Sequence, residues 1–285
     1  MTASAPTDGL PADTHIGQTA LRAADLDEQT DFYRDVVGLA VLARDDERAT
    51  LGAGGTPLLV LDRDPDASAR DRAATGLFHT AFRVPTRAAL GDALARVRER
   101  WRLDGASDNR VSEALYLADP EDNGVEIYRD YPRDEWPERA DGTVEMTTEP
   151  LDLDGVAAAA AGADGAPAAT DVGHVHLEVS SLERAAAFYG DVLGFATRAT
   201  MSGARFFAAG GYHHHHVGAN TWHGRTDPAG GRGLAWFEVV VPDPDALDAA
   251  RARLAGHGVE VAETDDRVAV EGPDGIEVRL RVETA

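Results

Sequence analysis

The sequence predicts an α+β chain of four βαβββ units arranged as two tandem domains, and three observations carry that prediction. The stretch GQTALRAADLDEQTDFYRDVVGL (17–39) returns as GHVHLEVSSLERAAAFYGDVLGF (173–195), so the chain is an internal duplication. Within each copy the apolar residues pass from strand alternation to helical spacing. Between the copies lies a tract of different composition, from Arg133 to Thr170.

The register that superimposes Phe32-Tyr33 on Phe188-Tyr189 also brings Gly17 to Gly173, Gly38 to Gly194 and Gly54 to Gly210. In the second copy Val175, Leu177 and Val179 alternate as one face of a strand. Leu182, Ala186, Phe188, Tyr189 and Leu193 then mark one face of a helix. Gly194 supplies the C-cap, and short strands are expected over Arg205 to Ala208 and Tyr212 to Val217. A second unit follows in each half, opening with Phe78 to Pro85 and with Leu234 to Pro242. These units close through the turns Asp119-Pro120-Glu121-Asp122-Asn123-Gly124 and Gly272-Pro273-Asp274-Gly275, each leading into a last strand.

The tract after Trp136-Pro137 runs through Thr147-Thr148-Glu149-Pro150 into the alanines 157–161 and on to Ala169, with nothing large to bury. It is read as a linker, 133–170, between a first domain, 12–132, and a second, 171–285.

Composition narrows the function. No run of about 18 apolar residues occurs, so no helix is expected to span a bilayer, and 1–13 lack the basic and apolar regions of a signal peptide. With no cysteine, disulfides and thiolate chemistry are excluded, leaving His, Asp and Glu as metal ligands. A net charge of -23 disfavours nucleic acid and anionic membranes and favours a small-molecule partner. Every one of the 27 basic residues is Arg, and acidic residues such as Asp45, Asp46, Asp64, Asp66, Asp265 and Asp266 crowd exposed-looking positions. That pattern suits a cytoplasm of high salt, where screening shortens the reach of self-repulsion; an acidic protein from a GC-rich genome is the alternative.

The stretches GHVHLEVSSLERAAAFYGDVLGF and ADPEDNGVEIYRD resemble the recurring signatures of the vicinal oxygen chelate superfamily, which contains glyoxalases, bleomycin-resistance proteins and extradiol dioxygenases. That resemblance implies that paired units curl into cupped half-barrels. The segment Ala209-Gly210-Gly211-Tyr212-His213-His214-His215-His216-Val217-Gly218-Ala219-Asn220-Thr221-Trp222 is similar to one carried by the second domain of two-domain catechol 2,3-dioxygenases. The implied activity is cleavage of catechol or a substituted catechol beside its hydroxyls, with Fe(II) and O2. The alternatives are a glyoxalase-like metal-dependent lyase or isomerase, and a non-enzymatic protein that holds an aromatic ligand or antibiotic.

In this superfamily ligands come from the opening and closing strands of the units. In the second half those places hold His174, His216, Trp236 and Glu277. His174, His216 and Glu277 then have the ligand types of a two-His, one-carboxylate site for Fe(II), with Mn, Ni or Zn as alternatives. Many extradiol enzymes carry their second His where this chain has Trp236, so the role passes to the His run, in which the choice stays open. If the run is a strand, His214 shares a face with His216 and suits acid/base work, while His213 and His215 face the other way. Tyr212 beside the run joins His214 as a catalytic candidate, and His176, Trp222 and Trp236 are candidate substrate contacts. The first half offers Gln18, Val60, His79 and Glu126 at the same places; Gln18, His79 and Glu126 could bind a metal as in glyoxalases, but Val60 removes the fourth ligand and a packing relic is the expectation. Expected partners are a small aromatic substrate and O2, and a homo-oligomer is left open.

Overall fold

A computed structural model describes residues 9–210, 214–264 and 267–284. Unit 1 comprises β1 (His15–Ala23), α1 (Leu26–Phe32), β2 (Ala40–Arg44), β3 (Arg48–Ala53) and β4 (Thr56–Arg63). Unit 2 comprises β5 (Gly76–Arg83), α2 (Arg87–Arg100), β6 (Gly105–Asp108), β7 (Ser112–Ala118) and β8 (Gly124–Asp130). Between the halves lie β9 (Glu149–Pro150) and α3 (Leu153–Ala158). Unit 3 comprises β10 (Asp171–Glu178), α4 (Leu182–Ala185), β11 (Ala196–Met201), β12 (Ala204–Ala208) and β13 (Val217–Asn220). Unit 4 comprises β14 (Gly233–Val241), α5 (Pro244–Gly256), β15 (Ala262–Thr264), β16 (Arg267–Glu271) and β17 (Glu277–Val282).

Each unit's helix starts on a side-chain cap. Asp25, Thr86, Ser181 and Asp243 accept from the backbone N–H three residues on, and Pro244 follows Asp243 at the first helical turn. The first helices of both halves continue into a π-helical turn and stop at Gly38 and Gly194, whose φ of 93° and 91° favour glycine.

The strands form two sheets, in the orders β15-β16-β17-β14-β1-β4-β3-β2 and β11-β12-β13-β10-β5-β8-β7-β6-β9. Sheet pairing therefore does not follow the halves 12–132 and 171–285. Units 1 and 4 share the eight-stranded sheet through antiparallel β1 and β14, and units 2 and 3 share the nine-stranded sheet through antiparallel β10 and β5. A repeat tells which units are alike; it carries no information on which edges meet. One apolar core joins the inner faces of both sheets, with Leu21, Leu59 and Phe237 from one and Phe82, Ile127, Val175 and Leu177 from the other. Strand alternation then sends the intervening residues, His174 and His176 among them, to the outward-curling face.

Segment 133–170 differs from the expected slack linker. Val144 and Val156 are fully buried and Trp136 nearly so, and β9 adds to the edge of the nine-stranded sheet on β6. Its few large side chains are enough to seat it, because each finds a prepared hollow. Val156 packs under α2, where Gly91 leaves room for the Val156 carbonyl.

Candidate metal centre

Strands β5, β8 and β10 lie side by side in the nine-stranded sheet and bring His79, Glu126 and His174 together on the floor of its cup. The Glu126 Oε2 atom is 2.9 Å from His79 Nε2 and 3.2 Å from His174 Nε2, and the two Nε2 atoms are 3.2 Å apart. All three side chains are buried. The neighbouring Gly173 is required by packing, since a Cβ there would lie 1.8 Å from the Tyr128 hydroxyl.

Above this floor is a cavity of about 270 Å³. Its walls include Phe78, His176, Phe206 and Trp222 on one side, and Val111, Ser112 and Tyr116 on the other. His214 and His215 reach into the same space. The ring of His215 lies 4.0 Å from that of His174, its Nδ1 is 2.6 Å from His214 Nδ1, and its Nε2 has no hydrogen-bond partner. His214 Nε2 in turn contacts Asp130 Oδ1 at 3.0 Å, and Asp130 is held by Arg83, which also pairs with Asp171.

Burial, and next the neighbouring imidazoles, push His174 and His215 well below the ordinary histidine range; burial and then His79 do the same to His176. A shift in that direction favours the neutral ring, the form that ligates metals and accepts protons. Burial raises the Asp130 carboxyl, but His214 and Arg83 outweigh it and hold Asp130 below the usual carboxylate range. The Tyr116 phenol is raised by burial and by Glu126, so it stays protonated and able to donate. Its oxygen lies 3.1 Å from Ser107 Oγ and 3.3 Å from Asn109 Nδ2.

The donor set fits a cation. Two imidazole nitrogens and a carboxylate oxygen converge, each within 3.2 Å of the others. His174 Nδ1 is also without a hydrogen-bond partner. Such a convergence has the donor types of the two-His, one-carboxylate sets that hold divalent transition metals.

The model of the Glyoxalase/Bleomycin resistance protein/Dioxygenase superfamily matches residues 15–127 and again 171–280. The chain belongs to this superfamily. A catechol-2,3-dioxygenase of Bacillus subtilis (strain 168) is 41% identical over 269 residues, covering 92% of this chain and 94% of that relative. Among solved structures, a Bacillus subtilis protein superposes with a TM-score of 0.67 at 13% identity, over 97% of this chain and 87% of that one. Glyoxalase I from Zea mays superposes with a TM-score of 0.57 at 15% identity, over 95% of this chain and 92% of that one. At these identities the two structures show a shared fold.

Within this superfamily fold the expected site residues separate. His174, His176, His214 and Trp222 share the cavity, whereas Glu277 and Trp236 lie paired on the other sheet, in β17 and β14. There Arg279 stacks on the Trp236 ring at 4.0 Å and its Nε donates to Glu277 at 2.5 Å. His216 is turned away from the cavity, its Nδ1 accepting from the Ala209 N–H at 3.1 Å and its ring beside Phe195. Tyr212 and His213 lie outside the described residues.

The face-by-face reading of the His run does not hold, because β13 begins only at Val217 and residues 214–216 form no strand. In irregular backbone His214 and His215 both reach the cup. The ungapped repeat alignment also slips here: β1 and β4 pair Ala20 with Val60, whereas β10 and β13 pair His176 with Gly218. Gly218, not His216, is the structural counterpart of Val60, and a Cβ there would lie 2.9 Å from the His176 ring. His79 and Glu126, expected to be relics, stand instead beside His174. The signal that marks Glu126 is ADPEDNGVEIYRD itself, which also contains Asp130, while His79 is marked by its place on an opening strand. Tyr116 was legible only as the residue opposite Glu126 on β7.

Proposed function

We propose that the chain is an extradiol ring-cleaving dioxygenase that acts on a catechol with Fe(II) and O2, and that His79, His174 and Glu126 hold the iron. The observation that carries this reading is the convergence of those three donors, within 3.2 Å of one another, on the floor of a largely aromatic and apolar cavity. The 41% identity to a protein named catechol-2,3-dioxygenase supports it. What a ferrous ion contributes in such a set is redox chemistry with dioxygen at coordination positions the protein leaves open.

The remaining work falls to the chain's own groups. His215 presents an unpartnered Nε2 to the cavity and is the base for a catechol hydroxyl proton. His214, set between His215 and the Asp130 carboxylate, fixes the His215 ring and stabilises the charge it acquires. Tyr116, protonated and lining the cavity, donates to the substrate oxygen that gains charge. Phe78, Phe206 and Trp222 hold the ring and keep bulk water away.

The test is anaerobic loading of metal-free protein with Fe(II), addition of catechol, and admission of air. The expected result is a yellow ring-opened product with one O2 consumed per catechol. No oxygen uptake across catechol and its methyl and chloro derivatives, with turnover of a hemithioacetal under nitrogen on Ni, Co or Zn, would replace this reading with a glyoxalase-like one.

A further inference from the structure

We propose that the segment joining the halves is a strap that closes the cup, and that through Met146 it restricts the site to single-ring catechols without a charged substituent. This rests on the dioxygenase reading and names the substrate class of that site.

The strap is fastened to both units that form the cup. On the unit 2 side, β9 pairs with Ser107 and Asp108 of β6, the Thr147 N–H donates to the Asn109 carbonyl, and Arg110 bridges to Glu149 at 2.8 Å. On the unit 3 side, the Val144 N–H donates to the Arg198 carbonyl at 3.0 Å, and Arg198 Nη1 donates to the Gly142 carbonyl at 2.8 Å. Val144 is fully buried between them. Met146 packs against Val111, Trp136 and Val144 on one rim and against Ala199, Ala204 and Phe206 on the other. One flexible side chain therefore spans the mouth, and Met146, Thr147 and Thr148 become part of the cavity wall.

Two properties of the strapped cavity follow. At about 270 Å³ it sits just under the ~300 Å³ lower end of ordinary small-molecule pockets, which suits one ring and a small substituent. Among its described lining residues there is no Arg, although Arg supplies every basic side chain of the chain's 27, and the one carboxylate side chain there is Glu126. A ring carboxylate would enter unpaired, beside a carboxylate already present, and a buried unpaired charge is strongly disfavoured.

The experiment measures binding of catechol, 4-methylcatechol, 3,4-dihydroxybenzoate and 2,3-dihydroxybiphenyl to metal-free protein by calorimetry, and kcat/KM for each with iron loaded. Wild type and Met146→Ala are compared. In wild type, dihydroxybenzoate is expected to bind at least about 30-fold more weakly than 4-methylcatechol, the factor for a carboxylate left without a cation. Dihydroxybiphenyl is expected to be similarly poor, and Met146→Ala to raise its kcat/KM relative to that of catechol by about tenfold. Binding of dihydroxybenzoate within threefold of 4-methylcatechol would overturn the charge limit. An unmoved biphenyl-to-catechol ratio in a folded Met146→Ala protein would overturn the role of Met146, and good biphenyl binding to wild type would do so without any variant. Failure to cleave any catechol would fall on the dioxygenase reading, while the binding series still decides the inference.

Discussion

The two sheets are built from the same repeat and treat their outward faces in opposite ways. In the eight-stranded sheet the places that correspond to His174 and His79 hold Gln18 and Trp236, and the carboxylates there have protein partners. Glu277 is bound by Arg279, and the buried Glu238 accepts from Arg281 Nε at 3.1 Å with Arg267 at 3.9 Å. In the nine-stranded sheet the comparable region brings two imidazoles and a carboxylate together, with no Arg or Lys bound to that carboxylate among the described residues. The fold supplies a cup twice. Among the described residues, buried donors that could hold a metal converge only in the cup of the nine-stranded sheet.

The sharpest way to break this comparison is to remove one donor from each cup. Glu126→Ala or His79→Ala should abolish metal binding and lower ring cleavage by more than about 10³-fold, beyond the ~10–100-fold typical of an outer-shell partner. Glu277→Ala should keep both. Iron content and oxygen uptake measured on the purified variants decide it, and iron lost from Glu277→Ala but kept by Glu126→Ala would move the centre to the other cup.

A smaller effect separates the members of the His run. His215→Ala should retain iron while kcat falls by roughly 10²- to 10⁴-fold, the usual span for a general acid or base. His214→Ala and Asp130→Asn, which act through His215, should each cost about 10–100-fold. His216→Ala should leave turnover near wild type. Loss of iron in His216→Ala would restore the strand reading of the run and sink the present one.

The smallest effect sharpens the comparison from the other side. Glu238→Gln should destabilise the protein by about 1–3 kcal/mol, because it leaves two partly exposed guanidinium groups without their buried partner. Ring cleavage per folded molecule should not change. Chemical denaturation alongside steady-state rates provides the check, and a loss of rate without a loss of stability would give that cup a functional role.

Much of this protein was determined by the sequence alone. Four units, their capped helices and the glycine stops follow from local spacing and cap chemistry, which depend on neighbours in the chain. The positions that can carry ligands were also legible, since His79, Glu126 and His174 all stand at opening or closing strands of a unit. Two things were decided only by tertiary structure. Which unit pairs with which is a matter of strand edges meeting across a long separation in sequence: β5 and β10 join Thr80 to Val175, and so bring His79 of the first half beside His174 of the second. Which histidines of a run face the cup depends on whether that run is strand, and residues 214–216, which form none, lack the alternation on which any face assignment rests.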